Sequence, residues 1–431
     1  MKKVFLEKSI IIILSLIVII MNVSNVYNTK MIAFLVLVVD FYSLIKYRDN
    51  PLLLFVFLSM MYFDYSVIIS KYLSTTNNLI GAYSQIKYDS TMFIGISSLL
   101  LMHLFILLFL KEKSKLKNNK VFAGSINNYH ILKGKKNTTL FFILILFIAF
   151  ILFDYLFLGL LSIKRTIYEY MLILFIFGFY YLKNYKLFKI ILILLMLISV
   201  FMNMKNGGRV VSLQPLIAFF FIQYYDKINY KNIFTIFIIG IIIFTIHGLY
   251  GDNLSSQNDK VDLSLENIKK TFIERKFALD TSISSYWTGL TFIETKNFIK
   301  QGDRLSNFVE YFTTYTLLGK ISNYTQLSTI SRRYYVHYEG GYINSYFYFW
   351  LGYPGIVIIG LLLSKLLDKI ANVSMFSSDF SKMYSIYFIS CMPRWYLYDP
   401  TGLFRGTLIM VVFFKILNVF IEKNKNENMC N

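Results

Sequence analysis

The densest chemistry-bearing stretch of the chain is Ser331-Arg-Arg-Tyr-Tyr-Val-His-Tyr-Glu-Gly-Gly, ending at Gly341. His337 or Glu339 could take the proton of an attacking hydroxyl. Arg332 and Arg333, a few residues earlier, could hold a pyrophosphate leaving group as its charge develops. Guanidinium grips phosphate with two parallel hydrogen bonds, which an ammonium cannot match. An aromatic belt at a membrane interface, with His337 simply hydrogen-bonded, is the structural alternative. A second stretch, Asn206-Gly-Gly-Arg-Val-Val-Ser, puts Arg209 at the start of an apolar run. Free N–H groups at such a helix start favour an anion, and Gly207 and Gly208 allow a close backbone approach. A snorkelling interfacial arginine explains the same residues without a ligand. Arg394, in Cys-Met-Pro-Arg-Trp, falls inside an apolar run, where an ionised side chain normally faces a cavity or a partner. Asp64, Asp154 or Asp399 would serve as that partner in a purely structural role. Pro393 beside it predicts a kink.

The elements that must hold these residues are apolar helices. The chain has 431 residues, 56% of them hydrophobic and 18% aromatic, with a mean hydropathy of +0.55. About 20 consecutive apolar residues cross a bilayer, and the runs here are continuous rather than alternating, which argues against a β-barrel. The expected fold is therefore an all-α polytopic membrane protein. Spans are predicted near 8–26, 31–46, 51–70, 91–110, 139–158, 166–183, 187–204, 209–225, 232–249, 342–364, 382–399 and 403–421, about twelve in all. The first run lacks a small-residue cleavage site and reads as an uncleaved span. A net charge of +20 would suggest nucleic acid in a soluble protein. Here the basic residues flank spans and set orientation, so no nucleic-acid partner is expected.

With the N-terminus inside, Lys and Arg concentrate in the inner loops, above all in the basic loop 111–138, and thin out in the outer ones. Both termini are then cytoplasmic. Three regions follow: spans one to nine over 1–249, one large extracytoplasmic loop over 250–341, and spans ten to twelve with a tail over 342–431. The large loop holds ten of the twenty-four acidic residues against eleven Lys and Arg. It reads as a lid resting on headgroups, with an amphipathic basic helix from Ser264 and short helices within 308–335. No internal repeat is visible, and a large loop after the ninth span does not fit two equal transporter halves.

This orientation puts Arg165, Arg275 and Arg405 on the outer face with Arg209, Arg332, Arg333 and Arg394. Trp287 lies there too and could stack on a sugar ring. His103 and His247 sit in spans and are expected to be core. Cys391 and Cys430 offer neither a disulfide framework nor a metal set. There is no Gly-rich nucleotide loop and no His-Glu-x-x-His. The first outer loop, Tyr27 to Lys30, carries no acid. A reaction without metal or other cofactor is expected.

The chain resembles the Wzy-type polymerases of oligosaccharide repeat units, also called O-antigen or capsular polysaccharide polymerases. The resemblance rests on the span count, the late outer loop, Gly207-Gly208-Arg209, and the tail Gly340-Gly-Tyr-Ile-Asn344-Ser-Tyr-Phe-Tyr348-Phe-Trp-Leu-Gly352-Tyr-Pro-Gly355. The paired Arg-x10-Gly motifs of some members are absent, since eleven residues on from Arg209 is Phe220 and from Arg275 is Tyr286. The resemblance implies a glycosyltransferase-C-like membrane enzyme that joins undecaprenyl-pyrophosphate-linked oligosaccharides on the outer face of the cytoplasmic membrane. A flippase and a chain-length regulator would be its partners. His337 or Glu339 would be the base. Arg209, Arg394, Arg332 and Arg333, with Arg275, Arg165, Arg405 and Trp287, would bind the substrate. A lipid-linked oligosaccharide flippase and an O-antigen ligase-like transferase are the alternatives.

Overall fold

A computed structural model describes residues 2–73, 89–111, 135–153, 164–182, 185–205, 209–224, 230–240, 242, 279–319, 322, 324–337, 340–373 and 377–429. Every regular element among them is helical. In chain order they are α1 (Lys2–Val23), α2 (Thr29–Tyr47), α3 (Pro51–Leu73), α4 (Asp89–Phe109), α5 (Lys135–Phe153), α6 (Lys164–Tyr181), α7 (Lys186–Lys205), α8 (Arg209–Tyr224) and α9 (Tyr230–Gly240). Then come α10 (Leu279–Thr295), α11 (Gln301–Glu310) with a π-helical turn over Tyr311–Tyr315, and α12 (Leu327–Ser331). The chain ends with α13 (Ile343–Leu351), α14 (Tyr353–Ala371), α15 (Asp379–Ser390), α16 (Met392–Leu397) and α17 (Thr401–Met429).

Among the described residues, four helices are long and apolar enough to cross a membrane: Val4–Val23, Asp89–Phe109, Lys186–Asn203 and Thr401–Val419. Five shorter apolar helices accompany them, Pro51–Tyr65, Phe142–Phe153, Tyr170–Tyr181, Val210–Tyr224 and Tyr230–Gly240. Large apolar side chains point outward along α1 (Phe5, Leu6, Leu16, Ile20), α7 (Leu187, Leu194, Phe201) and α17 (Val412, Val419). Greasy outer faces of this kind suit a hydrocarbon solvent and support membrane association.

The chain divides into two compact units. The first comprises Met1–Lys115, Leu279–Ala371 and Pro393–Arg405; the second comprises Leu116–Ala278, Asn372–Met392 and Gly406–Asn431. In the first unit α4 is central, packed against α1, α2, α10, α13 and α14. Of its apolar window 72% is buried, against 17% for that of α1, so α4 is a core helix and α1 a peripheral one. Small residues let the helices close up. Gly95 makes room for Leu290 and Tyr286 of α10, and Gly360 of α14 lies against Phe105 and Met102. In the second unit α6, α7, α8 and α15 pack together, and the Tyr180 hydroxyl donates to Asp379 at 2.6 Å.

Local signals set the helix ends. The Asn28 side chain accepts from the Met31 N–H, and Asn50 accepts from Leu52 and Leu53 ahead of Pro51, the first residue of α3. The tenth and eleventh expected spans are each two helices. Between α13 and α14, Gly352 takes φ +68° and ψ −145°, an extended positive-φ conformation that is essentially glycine's alone, and this ends α13. Between α15 and α16 the chain turns at Cys391, just before Pro393, so the span expected to kink there is instead broken into two helices.

The lid expectation fails for residues 279–295. Thr288, Leu290, Phe292 and Thr295 of α10 are fully buried, and α10 packs on α3, α4 and α13. Its sequence, rich in Ser and Thr between apolar residues, suits helix–helix contact better than a headgroup surface. The expected basic helix from Ser264, and most of the loop 111–138, lie outside the described residues.

Candidate functional site

A polar cavity of about 190 Å³ opens where α4 begins and α10 ends, lined by Ser90, Thr91, Ile94, Ile293, Glu294, Lys296, Asn297 and Tyr348. Drug-sized ligand pockets are roughly 300–1,000 Å³, so this one suits a headgroup or a single sugar ring. Glu294 is held in the wall by two donors. The Thr91 hydroxyl donates to Oε2, and Asn297 Nδ2 donates to Oε1 at 3.3 Å. Lys296 follows the end of α10 and sets its ammonium 4.4 Å from the centre of the Tyr348 ring. Gly352 faces the same ammonium, and a Cβ there would sit 3.5 Å from Nζ.

Arg304, on α11, stands near Lys296. Its Nη1 donates to the Phe349 carbonyl at 3.0 Å, while Nε is buried with no hydrogen-bond partner among the described residues. α11 is pinned through Asn307, which donates to the Thr325 carbonyl at 3.0 Å and accepts from the Trp350 indole at 2.9 Å. Neither Lys296 nor Arg304 forms an ion pair among the described residues. Burial, and then the neighbouring Arg304 charge, hold the Lys296 ammonium below the usual lysine range. Burial likewise lowers Arg304, with the Tyr348 phenol opposing it. Two partly desolvated cations beside one another, with no carboxylate partner between them, make a site that gains from an anion.

None of the described residues singled out from the sequence lines this cavity. His337 is buried, its ring edge-on to Phe292 at 5.8 Å. Arg332 and Arg333 are exposed on the turn that closes α12. Arg405 lies against Gly319. The Arg394 stem packs on Gly402, and its charge acts on Asp399, one of the three expected acids. Trp287 is half-buried with Tyr286 edge-on at 6.2 Å. α8 starts at Arg209, but the side chains of Arg209 and Arg165, and the whole of Arg275 and Glu339, lie outside the described residues.

Sequence reasoning missed Glu294, Lys296, Arg304 and Tyr348. The first three lie in a polar stretch between two apolar elements, and that was the available signal. It also missed what surrounds His103. His103 Nδ1 lies 2.8 Å from Asp40 Oδ1, and Nε2 lies 2.9 Å from the Tyr396 hydroxyl and 3.4 Å from Asp64 Oδ2. The Tyr396 hydroxyl in turn donates to both Asp64 oxygens, at 2.9 and 3.0 Å. His103 is core, as expected, but is held between two carboxylates. Asp64 is thus engaged by His103 and Tyr396. Family models, curated proteins and solved structures were each compared with the chain, and none matches.

Proposed function

We propose that the chain polymerises undecaprenyl-pyrophosphate-linked oligosaccharide repeat units into surface polysaccharide on the outer face of the cytoplasmic membrane. In this reading about twelve spans form a glycosyltransferase-C-like bundle with both termini inside. The observation that supports it most is the pairing of Lys296 and Arg304, partly desolvated cations with no ion pair among the described residues, near the buried Glu294. The start of α4, the end of α10 and the first half of α13 all fall at the outer level in the orientation read from the basic loops.

Glycan transfer makes two demands. The acceptor hydroxyl of the incoming unit attacks the anomeric carbon of the growing chain and gives up its proton. The bond from that carbon to the lipid pyrophosphate breaks with both electrons, so negative charge grows on the leaving oxygen. Glu294 supplies the base, with Thr91 and Asn297 fixing its oxygens. Lys296 and Arg304 face the growing charge. The cavity takes the reacting centre only; the rest of the glycan runs outside it, where Trp287, Arg332 and Arg333 are available. Acceptor lipids, a flippase delivering the unit and a chain-length regulator would be the partners.

A second reading, a lipid-linked oligosaccharide flippase, draws support from the buried Asp40–His103–Asp64 cluster, because ionisable groups inside spans mark transport paths. Replacing Glu294 separates the two. Glu294→Gln should cut chain extension by about 100-fold or more, while lipid-linked single units still reach the outer face. Glycan of normal length in that variant would remove Glu294 from the reaction, and units retained inside would favour the flippase.

A further inference from the structure

The Asp40–His103–Tyr396–Asp64 chain has no part in the glycan transfer proposed above and can be judged independently of it. All four side chains lie in the interior of the first unit, with Asp64 and Tyr396 fully buried, Asp40 1% and His103 4% exposed. They come from four different helices, α2, α4, α16 and α3. Ionisable groups at such depth are costly unless they are neutralised or do work.

One arrangement of protons satisfies these hydrogen bonds. With the Tyr396 hydroxyl donating to Asp64, its oxygen is left to accept, and His103 Nε2–H is then the donor that faces it. Nδ1 and Asp40 Oδ1 share a further proton across 2.8 Å. The set then holds two carboxylates around one imidazolium, one net negative charge in an apolar interior. Asp40 Oδ2 is buried with no hydrogen-bond partner among the described residues. A single additional proton brings the set to neutrality.

The other charges on and around these helices are engaged elsewhere: Arg394, on α16 with Tyr396, acts on Asp399. Glu7 of α1 pairs with Lys46 of α2. Asp368 of α14 accepts from the Lys111 N–H beyond the C-terminal end of α4, and Glu294 of α10 is held by Thr91 at the other end. Tyr342 is the adjoining titratable side chain. Its ring lies 5.3 Å from that of Tyr396, and its hydroxyl donates to the Phe63 carbonyl at 3.0 Å.

We propose that Asp40, His103, Tyr396 and Asp64 form a buried proton-binding site that takes up and releases one proton between a singly negative and a neutral state. No bond other than those to hydrogen changes. Because each residue belongs to a different helix, occupancy alters the contacts that join α2, α3, α4 and α16. The site therefore couples protonation to the packing of the first unit.

Infrared difference spectroscopy of the full-length protein in lipid nanodiscs, between about pH 8 and about pH 5, tests this. One carboxylic-acid carbonyl band should appear on acidification and shift in heavy water. Asp40→Asn and Asp64→Asn each leave one carboxylate beside one imidazolium, so the band should vanish in both. Tyr396→Phe keeps the ring and should retain the band with its midpoint moved by about one pH unit or more; it decides the matter if the Asn variants do not fold. The proposal is overturned by a band that persists in both Asn variants, or by an unmoved midpoint in Tyr396→Phe. It is equally overturned if the purified protein carries an equimolar divalent metal that His103→Gln removes.

Discussion

At the residue scale the chemistry turns on Lys296. Its ammonium is half-buried, lies over the Tyr348 ring and feels Arg304. Both burial and a like charge disfavour the protonated form, so the lysine deprotonates below its ordinary value of 10.5. If the cation stabilises the departing pyrophosphate, chain extension falls as the pH rises through that lowered value, and the charge is fully present below it. Lys296→Arg keeps the charge at high pH. Membranes carrying that variant should therefore show an alkaline limb displaced upward relative to the native protein, measured as glycan extension against pH. An unchanged limb would take Lys296 out of the reaction. Little of this was legible in the sequence. Glu294, Lys296 and Arg304 read as a polar connection, because only the fold brings them to Tyr348. His337 stood out because it is the single histidine of a long polar segment, yet it is packed on Phe292. Asp40 and Asp64 lie in different helices from His103, and nothing in their spacing along the chain shows that the three meet.

At the scale of elements, apolar runs were enough to find the helices, and turn chemistry was needed to find their breaks. A run of apolar residues from 342 to 364 conceals the turn at Gly352, since a glycine within such a run is also tolerated in a membrane helix. Its φ of +68° is open to glycine and costly for other residues. Gly352→Ala should therefore destabilise the first unit by about 1–3 kcal/mol, seen as a lower unfolding midpoint of the detergent-solubilised protein. Gly302 makes the comparison. It lies inside α11, a Cβ there meets nothing within 4 Å, and Gly302→Ala should be neutral or stabilising by up to about 1 kcal/mol. Equal losses in the two variants would show that the positive-φ turn is not what holds α13 against α14. α10 marks the other failure of sequence reasoning. Its Thr- and Ser-rich face resembles a water-facing loop segment in composition, yet it is buried against α3, α4 and α13.

For the whole molecule, composition alone pointed to apolar helices in a membrane, and the greasy outer faces of α1, α7 and α17 agree with that. The order of packing was not legible, because it depends on which helices carry small residues at the same level. Gly95 and Gly360 bring α10 and α14 onto α4 and so place the Glu294–Lys296 cavity at the start of α4. The most direct test of glycan polymerisation is the fate of lipid-linked repeat units in cells from which the gene has been deleted. Sizing of surface glycan and of undecaprenyl-linked material should show single repeat units accumulating on the outer face, with long chains restored by the native gene. Repeat units trapped on the inner face, or long chains persisting without the gene, would contradict it.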